Sequence, residues 1–231
     1  MSAPHKRPSP NFGPRRDGLR PTLVVLHYTG MDSFDAALER LCDPSAQVSA
    51  HYLICPAGGL WQLVEEAQRA WHAGAGAWQG MQDINSRSIG VELANDGQTP
   101  FADRQMRCLE GLLARIMARW QIAPADVIGH ADMAPERKHD PGPRFDWSRL
   151  ARQGLALWPE GTGPDLPLSG SLDRIGYPEA DPAKRLRAFR ARFRPSACGV
   201  GDDHPPETAQ DRARASAVAA GFDRARVSKP A

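Results

Sequence analysis

Two histidines and one aspartate of this sequence have the types and positions that a catalytic metal centre requires. His27 and His130 each follow a short apolar run that predicts a β-strand, and Asp140 comes ten residues after His130, before a Pro141-Gly142 turn. Ligand sites in open α/β sheets collect at the carboxyl ends of the strands. Two imidazoles and one carboxylate leave the fourth position of a tetrahedral zinc ion open for water, which is the composition of a catalytic zinc site.

The spacing alone leaves other interpretations of these residues open. A single histidine at a strand end is more often a hydrogen-bonded structural residue, and an aspartate before Pro-Gly is often only a turn former. His139 is adjacent to Asp140 and competes with it as a ligand, and His51 and His72 are further rivals. The sequence contains no HExxH motif, so the helical arrangement of two zinc histidines is excluded.

A glutamate and a lysine are candidates for catalysis beside such a metal. Glu92 belongs to an alternating strand segment, where it shares one face with Gly90 and Ala94, and these small residues leave open space before a general base. Lys138 precedes Asp140 by two residues, so in an extended loop both side chains point the same way and the ammonium would stabilise a developing oxyanion. The alternatives are an exposed or salt-bridged glutamate and a solvated lysine.

Short strands and one long helix must position these residues. The apolar patterns predict strands at 22–27, 48–54, 60–64, 88–94 and 126–130, a short helix capped by Ser33, and a helix with one broad apolar stripe at 102–120. The second and third strands are separated by a Pro-Ala-Gly-Gly turn, which predicts a hairpin. Together the elements favour an α/β fold with a mixed central β-sheet flanked by helices, and a site at the strand ends.

The composition excludes several classes of protein. The 231 residues include 29 Lys and Arg against 27 Asp and Glu, and this near-neutral balance gives no reason to expect a nucleic-acid partner. No stretch approaches the roughly 20 apolar residues of a membrane span. The first 20 residues are basic and proline-rich without an apolar signal segment, and the four cysteines are irregularly spaced. We therefore expect a cytoplasmic protein, with the periplasm as the alternative.

A segment rich in glycine and proline divides the chain. Residues 1–20 are predicted to form an extended, solvated arm, residues 21–158 the main domain, and residues 159–170 a linker. Residues 171–231 contain too few apolar residues for a large core of their own, which predicts a small helical module with a basic tail that docks on the main domain. We interpret the six basic residues of its first long helix as a solvated face or a patch for anionic glycans, and not as a nucleic-acid site: Lys184, Arg185, Arg187, Arg190, Arg192 and Arg194.

Five motifs in this order resemble those of the zinc-dependent N-acetylmuramoyl-L-alanine amidases of type 2: VVLHYTG, VSAHYLI, AWHAG, NSRSIGVELAN and GHADMAPERKHDPGPRFDW. The similarity covers about residues 20–150. The family includes muropeptide-recycling amidases, phage amidases and peptidoglycan recognition proteins. The chain after the linker resembles, less specifically, the small peptidoglycan-binding-type helical module that follows some of these domains.

The resemblance implies one Zn²⁺ per chain, held by His27, His130 and Asp140, with Glu92 and Lys138 as the catalytic residues. The implied reaction is hydrolysis of the amide between N-acetylmuramic acid, or its 1,6-anhydro form, and L-alanine during cell-wall turnover and recycling. Peptidoglycan or its fragments are the implied partners. Four further residues of the motifs are candidates for substrate binding: Tyr28, His51, His72 and Arg87. The two histidines would either contact substrate or lie behind the metal ligands.

Two alternative functions are a non-catalytic peptidoglycan-binding module and a zinc hydrolase of another amide. The first is disfavoured because such binding relatives usually lack a zinc ligand, whereas all five positions are filled here. The sequence also departs from the recycling amidases, since Met31-Asp-Ser-Phe-Asp leads almost directly into a helix where they have a long insertion, and the C-terminal module is extra. The choice between soluble anhydro-muropeptides and intact peptidoglycan is therefore open at this stage.

Overall fold

A six-stranded mixed β-sheet forms the centre of the molecule in the computed structural model, which describes residues 3–199 and 205–227. The strands are β1 (His5–Lys6), β2 (Phe12–Pro14), β3 (Leu23–Tyr28), β4 (Tyr52–Ile54), β5 (Leu60–Gln62), β6 (Gln68–Ala70), β7 (Ser88–Leu93) and β8 (Val127–Gly129). The order in the sheet is β1-β5-β4-β7-β3-β8, and β2 pairs with β6 in a separate ribbon. Strands β4, β7, β3 and β8 run parallel, and β5 is antiparallel to β4. The predicted α/β class with a mixed central sheet is confirmed.

Helices cover both faces of this sheet. They are α1 (Phe34–Cys42), α2 (Ile84–Arg87), α3 (Asp103–Trp120), α4 (His130–Met133), α5 (Trp147–Arg152), α6 (Leu168–Ile175), α7 (Pro182–Phe193) and α8 (Ala209–Val227). Because side chains alternate along a strand, β3 serves both layers. Val24 and Leu26 join the core under α3, while Leu23 and Val25 join the core under α6 to α8. None of the described helices combines the length and the hydropathy that crossing a membrane requires.

The long helix and the hairpin agree with their sequence patterns. Helix α3 buries its predicted stripe, including Met106, Leu109 and Ile116, against the sheet. Strands β4 and β5 form the predicted antiparallel pair. The strand predicted from residue 48 begins at Tyr52: the Ser49 amide donates to Trp71 O in a loop, although the His51 amide still donates to Gly90 O of β7.

The N-terminal arm is extended and most of its described residues are exposed, but two buried polar side chains anchor it to the domain. Ser9 and Asn11 are each 2% exposed, and the Asn11 side-chain amide donates to the carbonyls of Asp43 and Val48. The Arg15 guanidinium donates to the main-chain carbonyls of a neighbouring loop and strand start. The arm adds β1 to the edge of the sheet and β2 to the small ribbon. Its polar side chains satisfy buried backbone groups, which its composition does not reveal.

The C-terminal helices are a layer of the main core. Leu172, Phe189 and Phe222 belong to the same apolar cluster as Leu23 and Ile128 of the sheet. The preceding linker is held to α8, since the Arg214 guanidinium donates to main-chain carbonyls of the linker and the Gly163 amide donates to Ala213 O. Part of the predicted linker is helical, because α6 begins at Leu168. The predicted docking on the main domain is thus observed as a shared core.

The basic helix α7 differs most from its sequence-based prediction, which was a solvated face or a patch for anionic glycans. Arg185, Arg190 and Arg192 are less than 10% exposed. Each is paired with a carboxylate distant in the sequence: Arg185 with Asp173, Arg190 with Asp211 and Arg192 with Asp132. These arginines therefore stabilise the fold, and their charges are neutralised by partners within the protein.

Candidate metal centre

Parallel pairing of β3 and β7 places the first ligand candidate beside the candidate base. His27 is the fifth residue of β3, and in the register of the two strands it lies opposite Glu92. Both therefore stand near the carboxyl ends of their strands and on the same face of the sheet. The four preceding residues of β3 are fully buried and fix the strand, and the His27 side chain is itself buried.

The second and third ligand candidates are brought together by a tight loop. His130 directly follows β8, the neighbour of β3, and begins the short helix α4. The chain returns ten residues later, where the Ala131 amide donates to Asp140 O at 2.8 Å. Pro141 packs on Gly129, and a Cβ at Gly129 would lie 2.7 Å from Pro141 Cδ. A residue without a side chain is therefore needed at position 129 for the loop to close.

Three potential ligand atoms converge in this buried corner. His27 Nδ1 lies 2.9 Å from His130 Nδ1 and 2.9 Å from Asp140 Oδ2, and His130 Nδ1 lies 3.0 Å from Asp140 Oδ2. Among the residues that the structure describes, these three form the group of histidine, cysteine and acidic side chains able to hold a metal ion. His139, the rival of Asp140, is exposed and lies outside the group.

A chain of hydrogen bonds fixes the tautomer of His27. The Ser88 hydroxyl donates its one hydrogen to Ile84 O at 2.6 Å, so Ser88 Oγ accepts from His72 Nε2 at 3.1 Å. His72 Nδ1 is then an acceptor and takes the hydrogen of His27 Nε2 at 3.1 Å. The neutral His27 ring consequently presents the lone pair of Nδ1 to the cluster.

His130 is fixed in the same tautomer by a simpler contact. Its Nε2 lies 2.9 Å from the carbonyl oxygen of Ala73, which only accepts, so Nε2 carries the hydrogen. In the neutral ring Nδ1 therefore has a free lone pair. Two nitrogen lone pairs and one carboxylate oxygen face each other within about 3 Å, an arrangement that repels itself unless a cation lies between them. The donor set of two imidazoles and one carboxylate fits a divalent ion such as zinc.

The ionisation of the ligands suits metal binding at neutral pH. Burial, together with the nearby His130, lowers the pKa of His27 to about 4, so the ring is neutral. Burial alone would raise the pKa of Asp140, but the two adjacent imidazoles hold it well below its usual range. A neutral imidazole and an ionised carboxylate are the forms that coordinate metals.

Glu92 has the environment of a tuned general base. Burial and the charge of Asp140 raise its pKa to about 8, against the lowering influence of Lys138. Its Oε2 atom is enclosed and has no hydrogen-bond partner among the described residues. Such an oxygen is available to a water molecule or a substrate group. The prediction of open space beside Gly90 is wrong, because the His72 ring fills it: a Cβ at Gly90 would lie 2.4 Å from His72 Cγ.

The cluster opens into a cavity of about 630 Å³. A second cavity of about 600 Å³ lies against α7 and shares Tyr28 and His139 with the first. Burial and the charge of Asp140 raise the pKa of Tyr28. Five predicted site residues line the first cavity together with Tyr28 and His72: His27, Glu92, His130, Lys138 and Asp140.

Two of the four substrate-binding candidates lie away from this cavity. His51 is fully buried behind His72, at 5.7 Å between ring centroids, where its Nδ1 accepts from the Gly90 amide and its Nε2 lies 3.1 Å from Gln68 O. Burial and the charge of Arg15 lower its pKa to about 3. Arg87 precedes β7 at the end opposite Glu92, and its Nε donates to Gln82 O. The structure brings neither into the cleft.

The groups that orient the ligands were not among the residues predicted from the sequence. Ser88 and the carbonyl of Ala73 set the two tautomers, and Asp132 supports the start of α4 with a bond from the Gly129 amide to its Oδ2 at 2.8 Å. Ser88 lies two residues before Gly90 on the face of Glu92, so strand alternation was the available signal for that residue. Nothing in the sequence marks a backbone carbonyl as a partner of His130.

Replacing His72 by leucine is expected to weaken metal binding. The variant His72→Leu removes the acceptor of His27 Nε2, and loss of such a contact behind a ligand typically costs about 10–100-fold in metal affinity. The zinc dissociation constant, measured by competition with a chromogenic chelator, checks this. His51→Leu is the matched control, because it removes another buried imidazole, whose hydrogen bonds go to Gly90 and Gln68 and not to a ligand. Equal zinc affinities in the two variants would contradict the role given to His72.

Comparisons with known proteins agree with this geometry. The family model described as N-acetylmuramoyl-L-alanine amidase matches residues 17–143. N-acetylmuramoyl-L-alanine amidase AmiD of Escherichia coli is 40% identical over 211 residues, covering 75% of this chain and 75% of AmiD. The 1,6-anhydro-N-acetylmuramyl-L-alanine amidase AmpD of Enterobacter cloacae is 36% identical over 160 residues, covering 62% of this chain and 86% of AmpD.

Solved structures match over nearly the whole chain. The complex of Escherichia coli AmiD with anhydro-N-acetylmuramic acid-L-Ala-D-γ-Glu-L-Lys has a TM-score of 0.73 at 33% identity and covers 90% of this chain and 91% of AmiD. AmpDh3 of Pseudomonas aeruginosa has a TM-score of 0.77 at 27% identity and covers 96% of this chain and 98% of AmpDh3. The chain belongs to the N-acetylmuramoyl-L-alanine amidase family of type 2.

Proposed function

We propose that this protein hydrolyses the amide between the lactyl group of N-acetylmuramic acid and L-alanine, with one Zn²⁺ held by His27, His130 and Asp140. The convergence of their three ligand atoms next to Glu92 carries the proposal. Bound zinc would polarise the amide carbonyl and lower the pKa of a coordinated water. The protein itself supplies Glu92 as a base, the ammonium group of Lys138, and three buried ligand residues.

The residues around the metal have distinct tasks in this reaction. Glu92 accepts a proton from the attacking water and delivers it to the nitrogen of the leaving L-alanine. Its raised pKa suits both halves of that task, since the carboxylate is basic enough to take the proton and acidic enough to return it. Lys138 lines the same cavity and stabilises the negative charge that develops on the carbonyl oxygen. Tyr28 stands at the junction of the two cavities and is proposed to contact substrate.

The charge of the cleft supports a muropeptide as substrate. The first cavity is lined by three cationic side chains, Arg40, Arg137 and Lys138, against the two carboxyl groups of Glu92 and Asp140. A divalent cation on Asp140 would add to this positive excess, so an acidic peptide is attracted to the cavity. Substrate-related ligands in two solved relatives are anhydro-muropeptides, one with AmiD and one, an anhydromuramic pentapeptide, with AmpDh3. We propose 1,6-anhydro-muropeptides as substrates of this chain, in cell-wall recycling. The cytoplasmic location expected from the sequence stays a prediction.

A non-catalytic peptidoglycan-binding module is the second candidate, and the site argues against it. A module that only binds has no use for an enclosed carboxylate oxygen without a partner beside a ligand cluster. Burying such a group costs stability, and a catalytic role explains why it is kept.

The experiment offers zinc-loaded protein both purified anhydro-muropeptides and intact sacculi, and measures release of free stem peptide. We expect peptide release from the anhydro-muropeptides that stops when zinc is removed with a chelator and returns on adding zinc back. The ratio of the two rates separates recycling from wall remodelling. Zinc-loaded protein that retains muropeptides without releasing peptide would favour the binding module.

A further inference from the structure

We infer that helix α7 of the C-terminal layer positions the metal ligands, through three basic side chains that hold the loop from His130 to Asp140. This α7 clamp consists of Lys184, Arg187 and Arg192. The inference rests on the proposed function, since it assigns these residues to the same metal centre. It gives the C-terminal layer a task in metal binding, beyond docking or binding glycan.

The strongest contact of the clamp is a buried ion pair. Arg192 Nη1 donates to Asp132 Oδ2 at 2.6 Å, and both side chains are 2% exposed. Arg192 Nη2 donates to Val127 O at 3.1 Å, and the guanidinium lies 4.2 Å from the ring centroid of Trp147. One side chain of α7 thus contacts both β8 and α4. Charge pairs so deeply buried are costly unless their geometry is well satisfied.

Asp132 transmits this contact to a metal ligand. Its Oδ2 accepts the Gly129 amide, which caps the first turn of α4, and that turn begins with His130. Its Oδ1 accepts the Tyr177 hydroxyl at 2.6 Å. Tyr177 precedes α7 in the same C-terminal layer. Both oxygens of the aspartate are therefore held from the C-terminal side, and the backbone that carries His130 is held with them.

The other two clamp residues reach the far part of the loop. Arg187 Nη2 donates to Pro135 O at 2.7 Å and to Lys138 O at 3.3 Å. Lys184 pairs with Glu136 on the surface. Lys138 and Asp140 follow directly, so this part of the clamp fixes the backbone from which the candidate oxyanion stabiliser and the third ligand extend.

Arg190 provides a matched control on the same helix. It is 3% exposed, as against 2% for Arg192, and its partners are Asp211 and the carbonyls of Pro205 and Pro206, all within the C-terminal layer. Asp211 keeps Arg194 as a partner when Arg190 is removed, just as Asp132 keeps Tyr177 when Arg192 is removed. The two arginines therefore differ chiefly in whether they contact the metal loop.

The test compares Arg192→Met with Arg190→Met in the full chain. Both are expected to lower the thermal stability, but only Arg192→Met should weaken zinc binding, by about 10–100-fold, in chelator competition. Arg192→Lys restores the charge next to Asp132 and should recover part of the affinity. Equal zinc dissociation constants for the two methionine variants would overturn the inference. Wild-type protein that binds no zinc would instead contradict the proposed function.

A second pair keeps the inference testable if Arg192→Met does not fold. Arg187→Ala should destabilise the protein less, because Arg187 is partly exposed and its hydrogen bonds go to backbone carbonyls and not to a buried charge. It should speed hydrogen exchange of amides 136–140 in zinc-free protein and weaken zinc binding, whereas Arg174→Ala, which breaks only a surface pair with Asp223 inside the C-terminal layer, should change neither. Identical exchange rates and affinities in these two variants would contradict the α7 clamp.

Discussion

Glu92→Gln is expected to bind zinc as the wild type does and to lose about 10²–10⁴-fold in kcat. The amide keeps the size of the side chain but cannot take a proton from water, and the three ligand atoms are untouched. The rate of peptide release from an anhydro-muropeptide checks the loss of kcat, and the zinc content of the purified variant checks that zinc binding is retained. Glu65→Gln is the control for the same chemical change at an exposed carboxylate paired with Lys6. Wild-type turnover by Glu92→Gln would remove this residue from the mechanism.

The pH dependence of activity follows from the same residue. A general base works in its ionised form, so activity rises as the pH increases through the pKa of Glu92. Burial and the charge of Asp140 raise that pKa from 4.5 to about 8 in the metal-free protein. A divalent cation on Asp140 offsets the second cause, so the acidic limb of kcat should lie between these two values. A limb at the pKa of an ordinary exposed glutamate would show that burial does not tune this group.

Asp140→Ala is expected to abolish stable zinc binding. The variant removes the one anionic ligand among the three. The loss of zinc affinity should therefore exceed the factor of about 10–100 that is typical when a residue behind a ligand is removed. The zinc content of purified protein and the dissociation constant from chelator competition check this. His139→Ala serves as the control, because His139 is the adjacent residue and is exposed. Full zinc occupancy in Asp140→Ala, with loss in His139→Ala, would transfer the ligand role to His139.

The sequence predicts the elements of the site well where short-range patterns determine them. The apolar run before His27 and the alternation around Glu92 are local signals, and both strands form as expected. Family motifs then single out His27, His130 and Asp140 before any coordinates are known. The register that sets His27 opposite Glu92 could not be predicted from periodicity alone, because these residues are far apart in the chain and several strand orders fit the same patterns.

The burial of charge was the main failure of prediction. A helix with five basic residues and a sixth at its C-cap is expected to face solvent, since lysine and arginine are rarely buried unless paired. Arg190 and Arg192 are buried because Asp211 and Asp132, 21 and 60 residues away in sequence, accept their hydrogen bonds. Such long-range pairing leaves no trace in composition or spacing. Contacts between distant residues also separate His51 from His72. Both histidines lie in family motifs, but only His72 of the two is hydrogen-bonded to the ligand candidate His27.

The shared core of the C-terminal helices and the sheet bears on how this enzyme can be engineered. A chain shortened to end at residue 158 would expose Leu23, Val25 and Ile128, which are now covered by α6 to α8. Exposed apolar patches of this kind promote aggregation. A minimal catalyst made by truncation would therefore need new polar residues on that face of the sheet, and a new partner for Asp132.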